Sequence, residues 1–195
     1  MVERAPSSLF CRKHERAPAA RRGGWLSAEK RRRVRNNSAD ESLDASNVAR
    51  RLWVGSRPPF DRNLPEFDVL VLCAQEIQPA VMAFAGTVIR CPLPDNSLTQ
   101  EETTMALIVG KSVAQHLARK HTVLVTCAAG RNRSALVAGL ALGLVTQLSA
   151  DQIVDLVRKR RMAACLSNKA FCDILQRYIG RGRRAPPSPA TRNHT

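Results

Sequence analysis

The stretch that decides the fold is residues 121–137, HTVLVTCAAGRNRSALV. Its first part, HTVLVT, is short, largely apolar and β-branched, which predicts a buried strand. Its last part opens the small and apolar run ALVAGLALGLV, which predicts a buried helix starting near Ser134. The loop between them begins with the thiol of Cys127, contains Gly130 and ends at Arg133. A strand, a short loop and a helix around one thiol predict an oxyanion site.

The residue types in this loop suit a tetrahedral oxyanion. Gly130 permits a backbone conformation that other residues resist, and the free N–H groups and dipole at the start of the following helix favour an anion. With Cys127 and Arg133 six positions apart, the loop can place the sulfur beneath the anion and the guanidinium at its flank. Because the chain is rich in arginine, a cysteine and an arginine six positions apart can occur by chance. The prediction therefore depends on the strand, the glycine and the helix start that surround this pair. The chemistry indicated is cleavage of a phosphate ester through a cysteinyl-phosphate.

Strand and helix patterns alternate on both sides of this loop. Continuous apolar runs indicate strands buried on both faces, as in parallel sheets, and Thr99 with Glu102 is typical of a helix-starting capping box. The predicted fold class is therefore α/β, a three-layer sandwich whose central, mostly parallel sheet is flanked by helices. Ligands bind at the carboxyl ends of such strands, where the loop falls. The predicted strands are 51–55, 68–73, 86–91 and 121–126, and the predicted helices are 99–120, one from 134, 149–161 and 168–179.

Composition divides the 195-residue chain, with its net charge of +15, into one domain and two tails. Residues 1–47 and 181–195 are basic and poor in large apolar side chains, so they are predicted to be disordered. The catalytic domain is expected within residues 48–180. The run KRRRVR at 30–35 indicates a solvated cationic patch, or a signal or contact for an acidic partner or nucleic acid.

Several patterns bear on where the protein works. The N-terminus lacks the apolar core of about 7–15 residues that a secretory signal needs, and no apolar run reaches the roughly 18 residues of a membrane span. The six cysteines lack the density of a small disulfide-rich scaffold, which favours a reducing compartment. The expected location is cytoplasmic, with a nuclear location left open.

The segment from Leu52 to Ile179 resembles the cysteine-dependent dual-specificity and tyrosine phosphatases. The resemblance rests on LWVGSRP, VLVLCAQE, PLPD, VTCAAGRNRSALVAG and LSNKAF, read in that order along the chain. Asp95 precedes Cys127, which is the dual-specificity order, because low-molecular-weight tyrosine phosphatases place their loop at the N-terminus and their acid later. The resemblance implies a metal-independent phosphatase that needs no cofactor.

The resemblance also assigns roles to residues. Cys127 is the nucleophile and must be ionised to attack phosphorus, Arg133 binds two phosphate oxygens with its planar fork, and Ser134 assists release of sulfur. Asp95 protonates the leaving oxygen and later activates water, with Asp61 as the fallback. The phosphate-binding positions are Ala128, Ala129, Gly130, Arg131, Asn132 and Arg133.

Two further features follow from the family pattern. Cys73 resembles the second cysteine that some of these phosphatases hold behind the loop, where peroxide would join it to Cys127 in a disulfide; a small buried strand residue is the other interpretation. Most relatives carry histidine immediately before the nucleophile, whereas this chain has Thr126, which puts the rate in question more than the mechanism.

The substrate stays open at this level. Phosphotyrosine and phosphoserine/threonine in proteins come first. The pair Arg131-Asn132, with Arg90 and the basic run 158–161, suggests a substrate with additional negative charge, such as an RNA 5′ end or a phosphoinositide. A non-catalytic phosphate-binding module is the alternative of another class. A metal enzyme is disfavoured, because the four histidines have no ligand-like spacing.

Overall fold

The computed structural model describes residues 43–179. Its strands are β1 Ala45–Ala49, β2 Leu52–Gly55, β3 Val69–Ala74, β4 Thr87–Leu93 and β5 Val123–Thr126. They form one mixed sheet in the order β1-β2-β5-β3-β4. Strand β1 is antiparallel to β2, and every other neighbouring pair is parallel. The carboxyl ends of β2, β3, β4 and β5 therefore meet at one edge of the sheet.

The helices fall where the sequence patterns predict them. They are α1 Gln100–Ala118, α2 Arg133–Val145, α3 Ala150–Arg160 and α4 Lys169–Ile179. The predicted capping box at Thr99 is confirmed, since its hydroxyl accepts from the Glu102 amide while the Glu102 carboxylate accepts from the Thr99 amide. A second capping box, Ser149 with Gln152, starts α3. Local hydrogen bonding therefore fixes where both helices begin.

Side chains of the sheet divide between two apolar clusters, because successive strand residues point to opposite faces. Val71 and Val125 pack on the face that carries the buried side chains of all four helices, here called the helix-side cluster. Leu70 and Leu124 pack on the other face, against apolar residues of the loops at 60–67 and 82–84, here called the loop-side cluster. The predicted mostly parallel sheet flanked by helices is confirmed. Among the described residues, loops rather than helices form the layer on the second face.

Strand β1 is the element that the sequence patterns did not predict. It begins at Ala45, ahead of residue 48, where the globular part was expected to start, and Leu43 and Ala45 are buried in the loop-side cluster. Its sequence, ASNVA, is short and half polar, as edge strands often are, so it offers little periodicity. The predictions for residues 1–42, including the basic run at 30–35, and those for residues 180–195 concern parts of the chain outside the described residues.

None of the helices between residues 43 and 179 combines the length and the apolar character that a crossing of the bilayer demands.

Candidate active site

The loop at residues 127–132, here called the central loop, leaves β5 at the carboxyl edge of the sheet and enters α2. Gly130 adopts a φ of +63°, a left-handed conformation that side chains strain. A Cβ at this position would lie 2.6 Å from the Gly55 carbonyl carbon and 2.7 Å from the Ser56 nitrogen. Both backbone conformation and the close approach of the chain after β2 therefore require glycine.

Several carbonyl groups of the central loop are held from outside. The carbonyl of Ala128 accepts from the Arg57 amide at 3.3 Å, and that of Arg131 accepts from the Leu166 amide at 3.1 Å. The carbonyl of Gly130 accepts from Arg161 Nε at 3.4 Å. In a trans peptide the C=O and the following N–H point in opposite directions. The amides of residues 129, 131 and 132 therefore point away from those partners, as an anion cradle needs.

The start of α2 is left without a side-chain cap. Asn132 stands at the cap position, but its side chain makes no hydrogen bond to the helix amides. Its Oδ1 accepts instead from the Ser167 amide, the Ser167 hydroxyl and the Asn168 amide, at 3.1, 3.2 and 3.3 Å. The first amides of this helix are thus uncapped by Asn132, a condition that suits an anionic ligand.

Cys127 lies directly at the end of β5, buried against the helix-side cluster. Its Sγ is 3.2 Å from the Oγ of Ser134, which is fully buried in the first turn of α2. When the sulfur is a thiolate it can only accept, so the Ser134 hydroxyl then donates to it. The strand, loop and helix thereby bring Ser134 into contact with Cys127, whose sulfur the resemblance predicts Ser134 to assist.

Arg133 is buried, with 4% of its side chain exposed, and is held by the carboxylate of Glu76. Its two terminal nitrogens donate to Glu76 at 2.5 and 2.7 Å, and one also donates to the Leu93 carbonyl at 3.2 Å. Burial lowers the pKa of Arg133, but the hydrogen bonds to Glu76 and the electrostatic interactions with Cys127, Asp95 and Glu76 outweigh burial and raise it. The guanidinium is therefore permanently charged.

The third guanidinium nitrogen of Arg133 has no hydrogen-bond acceptor. Its Nε is buried and makes no hydrogen bond within the described part of the chain, and the Oδ1 atom of Asp95, with which it forms an ion pair, is 3.8 Å away. A buried N–H of a charged group without a partner is costly, by about 1–3 kcal/mol or more. Such a donor is explained when a ligand supplies the acceptor.

Asp95 follows β4 at the same edge of the sheet, and half of its side chain is exposed. Between residues 43 and 179, the carboxylates within 4 Å of the Arg133 guanidinium are those of Glu76 and Asp95. Asp61, the fallback acid, makes no such contact. The geometry therefore favours Asp95 over Asp61 as the carboxyl group nearest to the anion site.

Glu76 is the site residue that sequence reasoning missed. The sequence places it just after β3, the neighbour of β5 in the sheet. A carboxyl group at the end of a strand next to the loop-bearing strand was the available signal, because ligands gather at that edge. Hydrogen bonding to Arg133 lowers the pKa of Glu76, despite an opposing contribution from desolvation. Glu76 is therefore ionised at neutral pH and fixes the plane of the guanidinium.

Cys73 lies on the strand next to the one that leads to Cys127. Strands β3 and β5 are parallel neighbours with Leu72 opposite Thr126, so Cys73 follows this pair on β3 and Cys127 follows it just beyond β5. Both are buried in the helix-side cluster. Burial, followed by a hydrogen bond with Cys91 and the charges of Cys91 and Cys127, raises the pKa of the Cys73 thiol well above its ordinary value.

Thr126 immediately precedes Cys127 and is almost fully buried. Its hydroxyl donates to the Val71 carbonyl of β3 at 2.9 Å. The hydroxyl therefore ties the end of β5 to the neighbouring strand. In this way it orders the strand from which the central loop departs.

Three of the six basic residues suspected of holding extra phosphate bond to the protein itself. Arg90 donates to Gln78 and to the Pro79 carbonyl, and Arg158 donates to the Cys165 and Leu166 carbonyls. Arg161 pairs with Asp44 through both terminal nitrogens at 2.6 Å. Arg131, in contrast, is exposed on the central loop.

Comparison with known proteins shows which solved structures share this fold. No family model matches the sequence, and no curated protein is significantly similar to it. Human DUSP28 matches with a TM-score of 0.58 at 19% identity, over 70% of this chain and 93% of that chain. A mouse dual specificity phosphatase complexed with zinc tungstate matches with 0.58 at 21%, over 75% and 92%. Tk-PTP in its active form matches with 0.56 at 18%, over 70% and 96%.

The chain therefore has the fold of the cysteine-dependent dual-specificity and tyrosine phosphatases. This confirms the resemblance that its motifs indicate at the level of fold.

Proposed function

We propose that this protein hydrolyses phosphate monoesters through a cysteinyl-phosphate, without a metal ion or other cofactor. The observation that carries the proposal is the buried, charged Arg133, whose Nε lacks an acceptor within residues 43–179. It stands next to Ser134, whose hydroxyl contacts the Cys127 sulfur. A phosphate group bound over the sulfur would supply the missing acceptor. Charge, donors and nucleophile then converge on one ligand.

In the first step the Cys127 thiolate attacks phosphorus and the bond from phosphorus to the leaving oxygen breaks. The protonated Asp95 carboxyl gives its proton to that oxygen. Arg133 and the loop amides bind the equatorial phosphate oxygens and stabilise the charge that they carry in the transition state. The products are a cysteinyl-phosphate, the free alcohol or phenol, and the Asp95 carboxylate.

In the second step water attacks the phosphorus of the intermediate. The Asp95 carboxylate takes a proton from that water, and the bond between phosphorus and sulfur breaks. The Ser134 hydroxyl donates to the departing Cys127 thiolate, for which its 3.2 Å separation is suited. Inorganic phosphate leaves, and the ionised sulfur and protonated acid are restored.

The proposed substrates are phosphotyrosine and phosphoserine/threonine residues of proteins. The half-exposed Asp95 beside the anion site supports an accessible site of this kind. An RNA 5′ end or a phosphoinositide stays as the alternative. Because Arg90, Arg158 and Arg161 bond to protein groups, exposed Arg131 supplies most of the support for extra phosphate.

Hydrolysis of para-nitrophenyl phosphate in the presence of a chelator tests the proposal. We expect turnover by the parent, none by Cys127→Ser, and a loss of about 10²–10⁴-fold by Asp95→Ala. Cys172→Ser is the matched control, since this partly buried thiol bonds to the Leu166 carbonyl and lies outside the proposed machinery. Equal turnover by Cys127→Ser and the parent would overturn the mechanism.

A non-catalytic phosphate-binding module is the competing function of another class. Alkylation of Cys127 by iodoacetate, with and without vanadate, separates the two. An active phosphatase should show rapid alkylation at neutral pH, protection by vanadate and turnover of the aryl phosphate. Protection without any turnover would identify a binding module instead.

We further propose that Cys73 protects the nucleophile from irreversible oxidation. A peroxide would convert the Cys127 thiolate to a sulfenic acid, with loss of hydroxide. Attack by the Cys73 sulfur would then form a disulfide and release water. The positions of Cys73 on β3 and of Cys127 directly after the neighbouring strand β5, each following the pair Leu72 and Thr126, support this step. Peptide mapping of a peroxide-treated sample without reductant should contain a Cys73 to Cys127 cross-link; lost activity without that cross-link contradicts it.

A further inference from the structure

The turn that precedes α4 touches the segment carrying Asp95. Asn168 donates from its Nδ2 to the Asn96 carbonyl at 3.2 Å, while its Oδ1 accepts from the Ala170 amide at 3.0 Å. These partners fix the orientation of the side-chain amide, because a backbone N–H can only donate and a carbonyl can only accept. One side chain therefore caps the helix and holds the residue next to the acid.

The same turn is bound to the central loop from its other side. Asn132 Oδ1 accepts from the Asn168 amide at 3.3 Å and from the amide and hydroxyl of Ser167 at 3.1 and 3.2 Å. A continuous chain of hydrogen bonds thus runs from Asn96 through Asn168 to Asn132. It connects two segments that are far apart in sequence and that carry different parts of the proposed chemistry.

The acid-bearing segment depends on such contacts for its position. It joins β4 to α1 and is anchored at its far end by the capping box at Thr99. Half of the Asp95 side chain is exposed, and its oxygen is 3.8 Å from Arg133 Nε, beyond hydrogen-bond distance. The Asn96 carbonyl is therefore a nearby point at which the fold can fix the acid relative to the phosphate.

We propose that Asn168 is a positioning residue that holds Asp95 over the central loop for proton transfer to the leaving group. The inference rests on the proposed function, and it deepens that function by naming what places the acid. Asn168 does not touch the substrate. It acts through the Asn96 carbonyl on one side and through Asn132 on the other.

The test compares Asn168→Ser with the parent on two aryl phosphates. Serine caps a helix as well as asparagine does, but its short hydroxyl cannot reach the Asn96 carbonyl while capping. Phenyl phosphate, with a poor leaving group, needs the acid, whereas dinitrophenyl phosphate, with a good one, does not. We compare kcat/KM, which reports only the formation of the cysteinyl-phosphate, because both substrates share the later step in which Asp95 acts as a base. We expect kcat/KM for phenyl phosphate to fall about 3- to 10-fold, the effect of one hydrogen bond, with kcat/KM for dinitrophenyl phosphate unchanged.

Two further variants complete the design. Ser167→Ala removes one contact to Asn132 and leaves the Asn96 contact in place, so it should retain the parent's ratio of the two rates. In an Asp95→Ala background, Asn168→Ser should cause no additional loss, because the group that it positions is gone. Thermal unfolding of each variant checks that the helix cap is intact.

Specific outcomes would overturn the inference. Equal slowing of both substrates by Asn168→Ser, or a further loss in the Asp95→Ala background, would show that Asn168 acts other than through the acid. No effect on either substrate would show that it does not position the acid at all. Failure of the proposed function itself is separately visible, as retained turnover by Cys127→Ser.

Discussion

At the scale of single residues, the site is organised around a buried guanidinium. Arg133 loses hydration on burial, and Glu76 and the Leu93 carbonyl replace most of it with hydrogen bonds. The planar fork of arginine makes this bidentate contact possible and leaves Nε for another acceptor. Glu76 is half-exposed, so water screens the pair, and its contribution lies in orientation more than in net stability.

Replacing Glu76→Gln should lower kcat/KM for para-nitrophenyl phosphate by roughly 10- to 100-fold, the equivalent of a charged hydrogen bond of about 1.5–3 kcal/mol. The physical reason is that Arg133 loses the carboxylate that fixes its plane. Steady-state kinetics measure the change. Gln75→Ala, an exposed neighbour, is the control and should behave as the parent; an unaltered rate for Glu76→Gln would contradict this role.

The same pair has a defined dependence of stability on pH. Arg133 lowers the pKa of Glu76 from the value of 4.5 that it has in the unfolded chain. The contribution is therefore fully present above pH 4.5 and is lost as pH falls through the lower pKa of the folded state. The difference in urea midpoint between the parent and Glu76→Gln should shrink as pH is lowered below 4.5. A constant difference would contradict the assignment.

Thr126→Val should lower the free energy of unfolding by about 1 kcal/mol. The substitution keeps the shape of the side chain but removes the hydroxyl that donates to the Val71 carbonyl in a buried environment. Urea unfolding measures the loss. Thr104→Val, on the exposed face of α1, removes a hydroxyl that bonds to its own helix, and should cost less. Equal losses would indicate that the buried inter-strand hydrogen bond contributes no more to the free energy of unfolding than the exposed hydrogen bond within α1.

At the scale of elements, three parallel strands deliver the site from one edge of the sheet. Strand β3 leads to Glu76, β4 leads to Asp95, and β5 leads to Cys127. Parallel strands end at the same edge, so residues far apart in sequence meet there. Helix α2 then covers the sheet and supplies Arg133 and Ser134 from its first turn.

The junction between α1 and β5 contains a pair of histidines whose rings share a hydrogen bond. His116 Nδ1 and His121 Nδ1 are 2.9 Å apart, which requires that one of them be an acceptor and hence neutral. Burial, then the charges of His121 and Arg119, lower the pKa of His116 from 6.5. The native state thus favours neutral His116, and its stabilisation is present above pH 6.5 and lost as pH falls through the lower pKa.

The melting temperature of the parent should therefore fall when the pH is lowered from about 7.5 to about 5.5. In His116→Asn the fall should be smaller, because the residue that must be neutral in the folded state no longer titrates. Scanning calorimetry at both pH values measures the two slopes. An identical fall in melting temperature for the parent and the variant would show that His116 does not contribute to the pH dependence of stability.

At the scale of the whole molecule, the beginning of the described residues contacts the end of α3. Arg161, at the end of α3, pairs with Asp44 ahead of β1 and also donates to Gly130 of the central loop. The guanidinium is almost fully buried. The segment before residue 48 therefore supports the loop as well as the edge of the sheet.

A chain of residues 43–179 should unfold cooperatively and retain the aryl phosphatase activity of the full chain. A chain of residues 48–179 should be less stable by at least about 2 kcal/mol, since it lacks buried Leu43, the first residues of β1 and the partner of Arg161. Chemical unfolding of both fragments measures the difference. Equal stability would place the domain boundary at residue 48, as the sequence pattern alone suggests.

Features that depend on neighbouring residues could be predicted from the amino-acid sequence. Apolar runs predicted the strands β2 to β5, periodicity and caps predicted the four helices, and the stretch around Cys127 predicted the fold. These signals are local, because a strand, a helix cap or a tight loop is specified within a few residues.

Contacts between side chains that are distant in sequence became visible only in the folded chain. Three contacts join separate elements: the ion pair of Glu76 with Arg133, the hydrogen bond from Asn168 to Asn96, and the ion pair of Arg161 with Asp44. Composition could not distinguish arginines that bond to the protein from one that is exposed. The physical reason is that a hydrogen-bond partner is chosen by strand order and helix packing, which bring together groups that no local pattern relates.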